Sequence, residues 1–236
     1  MNIALLTAAG QGTRMGQDIP KQFLHIHDKP VIIYTLERFQ NSPQIDAIIL
    51  VTLEHWKDFI WTNARQFGIT KLQWVVAGGE TGQESIYNGL QVLKKNCPPD
   101  SVVMIHDGNR PMIDNDIISD SLSVFQKCGS AIAAIPCTEA VFKSPNGSTS
   151  NESIPREELW RTQTPHTYTL SDAAWAYDEA KKRGIKNTTA ICTLMNLLGR
   201  EIYFSKGSEK NIKLTTLEDI DIFKALLISE RSGWMH

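Results

Sequence analysis

Apolar positions along the chain follow two alternating periods. Residues 3–6 form a short unbroken apolar run, as expected of a buried strand. Residues 31–39 (VIIYTLERF) repeat apolar side chains at helical spacing, and Pro30 suits a helix's first turn. The runs at 45–52, 72–76, 101–105 and 131–135 are short and apolar, and read as strands. Residues 56–67, with Gly68 behind them, and residues 86–95 read as helices. Farther on, 170–183 closed by Gly184 is an amphipathic helix, 202–204 and 212–214 are the last strands, and 217–229 is a C-terminal helix. Strands that alternate with helices predict parallel pairing through right-handed crossovers. The expectation is therefore an α/β protein with one doubly wound, mostly parallel sheet, and ligands at the strand C-termini.

That rule directs attention to the loop behind each strand. After residues 3–6 come Thr7-Ala8-Ala9-Gly10-Gln11-Gly12-Thr13-Arg14-Met15-Gly16 and then Pro20-Lys21-Gln22-Phe23. Ala8, Ala9, Gly10 and Gly12 leave little side-chain bulk, so backbone N–H groups can approach an anion. Arg14 supplies a planar fork for phosphate oxygens and Lys21 a mobile point charge. A tight strand-to-helix turn would use the same small residues. The spacing lacks the Gly-Lys-Ser/Thr of a Walker loop and the third glycine of a dinucleotide fingerprint.

Two further loops carry candidate chemistry. Residues 77–85 (AGGETGQES) hold glycines that permit close approach, and Ser85 lies where a helix start attracts acceptors; helix capping alone also explains it. Residues 106–111 (HDGNRP) put Asp107 just past a strand, with Arg110 three residues on. A carboxylate there suits Mg²⁺, a hard cation that shares its shell with phosphates and water; turn capping is the alternative, and the phosphate-sized cation of Arg110 weighs against it. Residues 143–153 (KSPNGSTSNES) have the Ser, Asn, Pro and Gly of an exposed hairpin tip.

Composition narrows the functional classes. The 236 residues suffice for a substantial α/β core, and 42% hydrophobic with 21% charged residues is ordinary for a globular protein. A net charge of −2 gives no basic field for general nucleic-acid binding. Cys97, Cys128, Cys137 and Cys192 lack Cys-x-x-Cys spacing, which argues against a zinc site or disulfide framework and fits a reducing cytoplasm. No basic-then-apolar leader and no apolar run of spanning length is visible, so a cytoplasmic protein that does not enter a membrane is expected.

The string Ala-Ala-Gly-x-Gly-x-Arg-Met-Gly with Pro-Lys-Gln-Phe resembles the nucleotide-binding signature of the sugar-nucleotide pyrophosphorylases. Within them it is similar to the polyol-phosphate cytidylyltransferases, whose acceptors are methylerythritol phosphate and ribitol 5-phosphate. Further matches recur in order down to Asn211-Ile212-Lys213-Leu214-Thr215. The resemblance implies a Rossmann-like nucleotidyltransferase fold over residues 1–236, CTP and a polyol phosphate as substrates, and Mg²⁺. It also implies a protruding β-arm at about residues 137–158 that swaps across a homodimer. Arg14, Lys21 and Lys213 then act on the phosphates. Ala8, Ala9, Gly10, Gly12, Thr13, Gly79 and Ser85 hold the nucleotide, with Gly79 and Ser85 at the cytosine. Arg110, Arg156 and Thr164 hold the acceptor, and Asp107 holds the metal.

The chain departs from that pattern at several positions. Gly82 stands in place of an Arg, Gly108 in place of an Ala, and Glu139-Ala140 in place of Asp-Thr. Thr188-Thr189-Ala190 lacks a carboxylate, and Lys210 falls where the methylerythritol enzymes carry an Asp. Within the resemblance, Gly82, Ala140 and Lys210 favour ribitol 5-phosphate as acceptor, with 2-C-methyl-D-erythritol 4-phosphate as the alternative. A nucleotide-binding regulator without catalysis and a nicotinamide-dependent reductase are the readings from other classes; the intact cation set argues against the first and the glycine register against the second.

Overall fold

The structure is a computed structural model that describes residues 1–10, 19–188 and 190–232. Arg14, Gly12, Thr13 and Thr189 lie outside the described residues. In chain order the elements are β1 (Asn2–Ala8), β2 (His25–Ile26), β3 (Lys29–Pro30), α1 (Val31–Asn41), β4 (Ala47–Thr52), α2 (Lys57–Gln66), β5 (Leu72–Ala77) and α3 (Gly82–Asn96). Next come β6 (Val102–Asp107), α4 (Asn115–Cys128), β7 (Ala131–Pro136), β8 (Val141–Lys143), β9 (Glu152–Ile154) and β10 (Trp160–Thr169). The chain ends in α5 (Leu170–Arg183), α6 (Ile191–Leu197), β11 (Phe204–Lys206) and α7 (Leu217–Ser232).

Seven strands form the central sheet in the order β11-β7-β10-β6-β1-β4-β5. The pairs β5–β4, β4–β1, β1–β6 and β7–β11 are parallel, whereas β10 runs antiparallel to both β6 and β7. The reason lies in the connection. Between β7 and β10 the chain leaves the sheet as an arm and returns without a crossover helix, which reverses its direction. The arm is the two-stranded antiparallel pair β8–β9, with Val141 opposite Ile154. Its tip is ordered locally by Asn146, whose Oδ1 accepts from the backbone N–H groups of Ser148 and Thr149 at 3.0 Å each.

Alternate side chains on the central strands feed two cores. Ala4, Leu6, Ile48 and Leu50 face α1, α2 and α4 through Leu36, Phe39, Ile60 and Ile117. Ile3, Leu5, Ile49 and Val51 face α3, α5 and α6 through Leu90, Leu93, Tyr177 and Leu194. Strands buried on both faces read as continuous apolar runs, which explains their legibility. A third cluster packs Val31 and Tyr34 of α1 against Met112, Leu214 and the α7 residues Ile220, Phe223 and Leu227. Among the described residues, no helix is long and apolar enough to cross a membrane. The four cysteines are free thiols.

Several expected boundaries shift. The helix expected from residue 86 begins at Gly82, because Thr81 caps it by accepting from Glu84 N–H. Helices α4 and α6 and the antiparallel strand β10 were not expected, although Asp114 and Gly129 flank α4 as its caps. The strand expected at 212–214 does not form. Its backbone groups bond instead to the turn after β6, with Leu214 N–H donating to the Asn109 carbonyl at 2.9 Å.

Two buried histidines stand in neighbouring strands of this sheet. His106, the penultimate residue of β6, is fully buried, and its ring has a definite hydrogen-bond pattern. Nε2 lies 3.1 Å from the Arg110 carbonyl and must donate to it, so Nδ1 accepts from Thr164 Oγ1 at 3.0 Å. His166 on β10 is 3% exposed, and among the described residues its Nε2 has no partner. Burial, ahead of the opposing pull of nearby Asp107, lowers both from 6.5 to about 4. Above pH 6.5 both histidines are neutral in either state. As pH falls from 6.5 toward 4, the unfolded chain takes up protons that the folded chain refuses, so stability declines by about 3 kcal/mol per histidine. Urea unfolding between pH 7 and pH 5, where ordinary carboxylates stay ionised, is expected to show this decline, and His166→Gln to halve its slope. A flat profile would contradict the assignment.

Candidate functional site

The site forms at the C-terminal ends of β1, β4, β5 and β6, where the sheet's parallel half opens into a cleft of about 510 Å³. Its first wall is the loop after β1. Gln22, 2% exposed, donates from Nε2 to the carbonyls of Ala8 at 2.7 Å and Gly10 at 2.9 Å, which ties the small-residue loop to the turn Lys21–Phe23. Phe23 stacks on Trp56 with ring centres 4.1 Å apart, and this fixes the same turn against α2. Ala8, Ala9, Gly10 and Lys21 all line the cleft as a result. Gln22 was visible in the sequence only as part of a motif; its role as the latch needed coordinates.

The second wall is the loop between β5 and α3. Ser85 Oγ accepts from Gly79 N–H at 3.1 Å and donates to the Thr81 carbonyl at 2.9 Å, so the hydroxyl expected at the cytosine is used to shape its own loop. Gly78 is where this loop meets the first: a Cβ there would lie 2.4 Å from Ala9 Cβ and 2.9 Å from Ser85 Oγ. Gly79, Gly82 and Ser85 line the cleft. Gln83 Oε1 accepts from both the N–H and the hydroxyl of Thr188 at 3.1 Å, and Nε2 donates to the Ile185 carbonyl at 2.9 Å. That clamp holds the 185–188 segment over the same opening.

The third wall carries the charges. Asp107 is the last residue of β6 and receives Lys213 Nζ on Oδ1 at 3.1 Å and Arg110 Nε on Oδ2 at 3.0 Å. Burial alone would raise this carboxyl, but Lys213 and Arg110 outweigh it and hold Asp107 well below the usual carboxylate range. Arg110 also donates from Nη1 to the Asn211 carbonyl at 2.7 Å. Thr164 Oγ1 accepts from Asp107 N–H at 3.0 Å and donates to His106. His106 therefore has both ring nitrogens committed, in keeping with a structural part.

Beside the cleft lies a smaller pocket of about 220 Å³, lined by Arg110, Thr164 and the apolar side chains of Ile105 and Ile191. Thr7, Ile86, Asp107, Ala190 and Lys213 line both spaces. The anion and the ammonium thus stand on the partition between a large chamber and a small one. Two ligands could meet across such a wall, one on either side of Asp107 and Lys213.

Lys21, Gly79, Ser85, Asp107 and Lys213, expected from distant parts of the sequence, line one cleft. Arg156 is not brought to it: the side chain is 60% exposed and pairs with Glu157 at 3.5 Å near the base of the arm. Lys210 lines neither space. Among the described residues, no group of three or more His, Cys, Asp or Glu is placed to hold a metal unaided. A metal at Asp107 would therefore complete its shell with ligand oxygens and water, which suits Mg²⁺.

Comparison with known proteins bears on what such a site does. Residues 2–229 match the family described as IspD: 2-C-methyl-D-erythritol 4-phosphate cytidylyltransferase. The chain is 42% identical to the ribitol-5-phosphate cytidylyltransferase of Lacticaseibacillus paracasei, over 96% of this chain and 98% of that one. It is 35% identical to the 2-C-methyl-D-erythritol 4-phosphate cytidylyltransferase of Clostridium botulinum, over 96% of this chain and 97% of that one. In fold it superposes on the crystal structure of 4-diphosphocytidyl-2C-methyl-D-erythritol synthase from Anaerococcus prevotii with a TM-score of 0.82, at 24% identity, covering 96% and 95% of the two chains. The chain belongs to the IspD family of cytidylyltransferases, and is a nucleotidyltransferase.

Proposed function

We propose that this enzyme transfers CMP from CTP to ribitol 5-phosphate, giving CDP-ribitol and pyrophosphate. The observation that carries the choice of acceptor is the order of similarity. Relatives named for ribitol 5-phosphate reach 42% and 37% identity over 96% of the chain, and those named for methylerythritol phosphate reach 35% and 36%. The second reading, 2-C-methyl-D-erythritol 4-phosphate as acceptor, is favoured by the description of the family itself.

In this reading CTP lies in the larger chamber and the polyol phosphate in the smaller one. A phosphate oxygen of the acceptor bonds to the α-phosphorus while the bond to the pyrophosphate oxygen breaks. The nucleophile is already anionic, so no proton need be removed, and among the described residues no histidine stands on the partition. Lys21 and Lys213, with Arg14, neutralise charge that gathers on the α-phosphate and the departing pyrophosphate. Ala8, Ala9, Gly10, Gly12 and Thr13 cradle the phosphates, and Gly79 and Ser85 shape the base subsite. Arg110 and Thr164 face the acceptor. Asp107 would hold Mg²⁺, which when bound supplies positive charge to phosphate oxygens.

The arm supports a homodimer in which Arg156 reaches the neighbour's acceptor pocket. Among the described residues β8 and β9 pair only with each other, and Phe142, Trp160 and Phe204 are 58%, 47% and 43% exposed. Trp160 and Phe204 stack with centres 5.3 Å apart, which presents a flat apolar face at the arm's root. Unpaired thiols fit the cytoplasm, where CTP is available.

Three outcomes test this reading. Pyrophosphate release with CTP is expected to be fastest with ribitol 5-phosphate in a panel that includes methylerythritol 4-phosphate and other pentitol phosphates; preference for methylerythritol phosphate would select the second reading. Lys21→Ala is expected to lower kcat by roughly 10²–10³ without moving the unfolding midpoint, and near-wild-type turnover would end the assignment. Arg156→Ala is expected to raise KM for the acceptor and leave CTP affinity unchanged. Mixing it with Lys21→Ala should restore part of the activity if the arms exchange, and no recovery would place Arg156 outside the partner's site.

A further inference from the structure

Lys213 belongs to no strand or helix, yet its ammonium is held at a defined place. The segment that carries it, residues 211–214, is fastened to the turn after β6 by a set of bonds that cross some 100 residues of sequence. Asn109 provides two of them. Its side-chain Nδ2 donates to the Leu214 carbonyl at 2.6 Å, and its own carbonyl accepts from Leu214 N–H at 2.9 Å. The two bonds close a ring that mimics one rung of a β-ladder. Asn109 is 7% exposed, and the Leu214 side chain is buried at 1% in the cluster with Phe223 and Tyr34. Asn211 adds a second fastening point: its Nδ2 donates to the Thr164 carbonyl at 2.8 Å, and its carbonyl accepts from Arg110.

We propose that Asn109 is a positioning residue for catalysis, its side-chain amide setting where the Lys213 ammonium stands relative to Asp107. The inference deepens the reading above and rests on a phosphate role for Lys213. A lysine has a long flexible stem, so the place of its charge depends on a fixed backbone, and a shift of about 1 Å in a reacting group can cost roughly 10² in rate. Leu214 and Lys213 are neighbours, so the bond to the Leu214 carbonyl orients the peptide unit immediately after Lys213. Loss of the Asn109 amide leaves the backbone bond from Leu214 N–H in place. The segment then stays attached by one bond and by its buried leucine, but with its orientation relaxed.

A double-mutant cycle reads this directly. Asn109→Ala in the full-length enzyme, with CTP, Mg²⁺ and ribitol 5-phosphate, is expected to lower kcat by roughly 10–10²-fold and to change KM for CTP by less than about threefold: Asn109 lines the cleft, but its amide N–H is committed to Leu214, and Lys21 and the cradle are untouched. In a Lys213→Ala background the same change is expected to cost less than about twofold, because the group being positioned has gone. A full, additive loss in that background, or a rise in KM with kcat unchanged, overturns the proposal. If Lys213→Ala itself keeps wild-type turnover, the phosphate role of Lys213 fails, which is a different result from additivity. Should Asn109→Ala not fold, Asn109→Leu keeps the bulk without the donor and without an added charge, and takes its place in the cycle.

Discussion

The ion pair between Lys213 and Asp107 joins residues 106 positions apart and closes the charged wall of the site. Its energy is not what matters most. Lys213 is 42% exposed, and a pair so open to water contributes little to stability. Its importance is geometric: it brings a cation from the C-terminal third of the chain to the end of the central strand β6. Arg110 makes the pair a triad, and the two cations together keep Asp107 ionised where burial alone would favour the neutral acid. The result is an ionised carboxylate flanked by two cations on the wall of the cleft.

The fold explains why the triad can form. Parallel strands aligned through right-handed crossovers deliver four loops to one end of the sheet. The loop after β1 is latched by Gln22, the loop after β5 by Thr81, Ser85 and Gln83, and the turn after β6 by Asn109 and Arg110. The reversal of β10 serves the same end. Running back from the arm beside β6, it sets Thr164 against Asp107 N–H and Gln163 against residues 208 and 211. The arm is the connection that permits this reversal, so the feature that projects from the molecule and the strand that completes the smaller pocket share one origin.

Much of this was legible in the sequence, and the physical reasons differ from part to part. Doubly buried strands announce themselves as apolar runs, and α5 is bounded by residues that favour its ends: Thr169 caps it and Gly184 closes it at φ +66°. The small-residue loop and Asp107 stood out in the sequence because each comes just past an apolar run, and the fold brings Ala8, Ala9, Gly10 and Asp107 to one cleft. Helix α6 was not, since seven residues give periodicity little room. Nor was β10, where the polar Gln163, His166 and Thr167 are buried by their neighbours. The latches Gln22, Asn109, Gln163 and Asn211 were invisible for a different reason. Amides give no pattern of their own, and each acts on a backbone group that only the fold brings within reach. Residue 214 shows the limit clearly: its apolar neighbours suggested a strand, and its backbone partner proved to be a turn.

The central claim is that convergent charge on one cleft recognises a triphosphate. Isothermal titration of the wild-type enzyme with CTP and with cytidine, in the presence of Mg²⁺, tests this most directly. Binding of CTP at least roughly 10² times tighter than cytidine is the predicted result, since each charge-assisted contact contributes about 1.5–3 kcal/mol. Equal affinities for the two would contradict it.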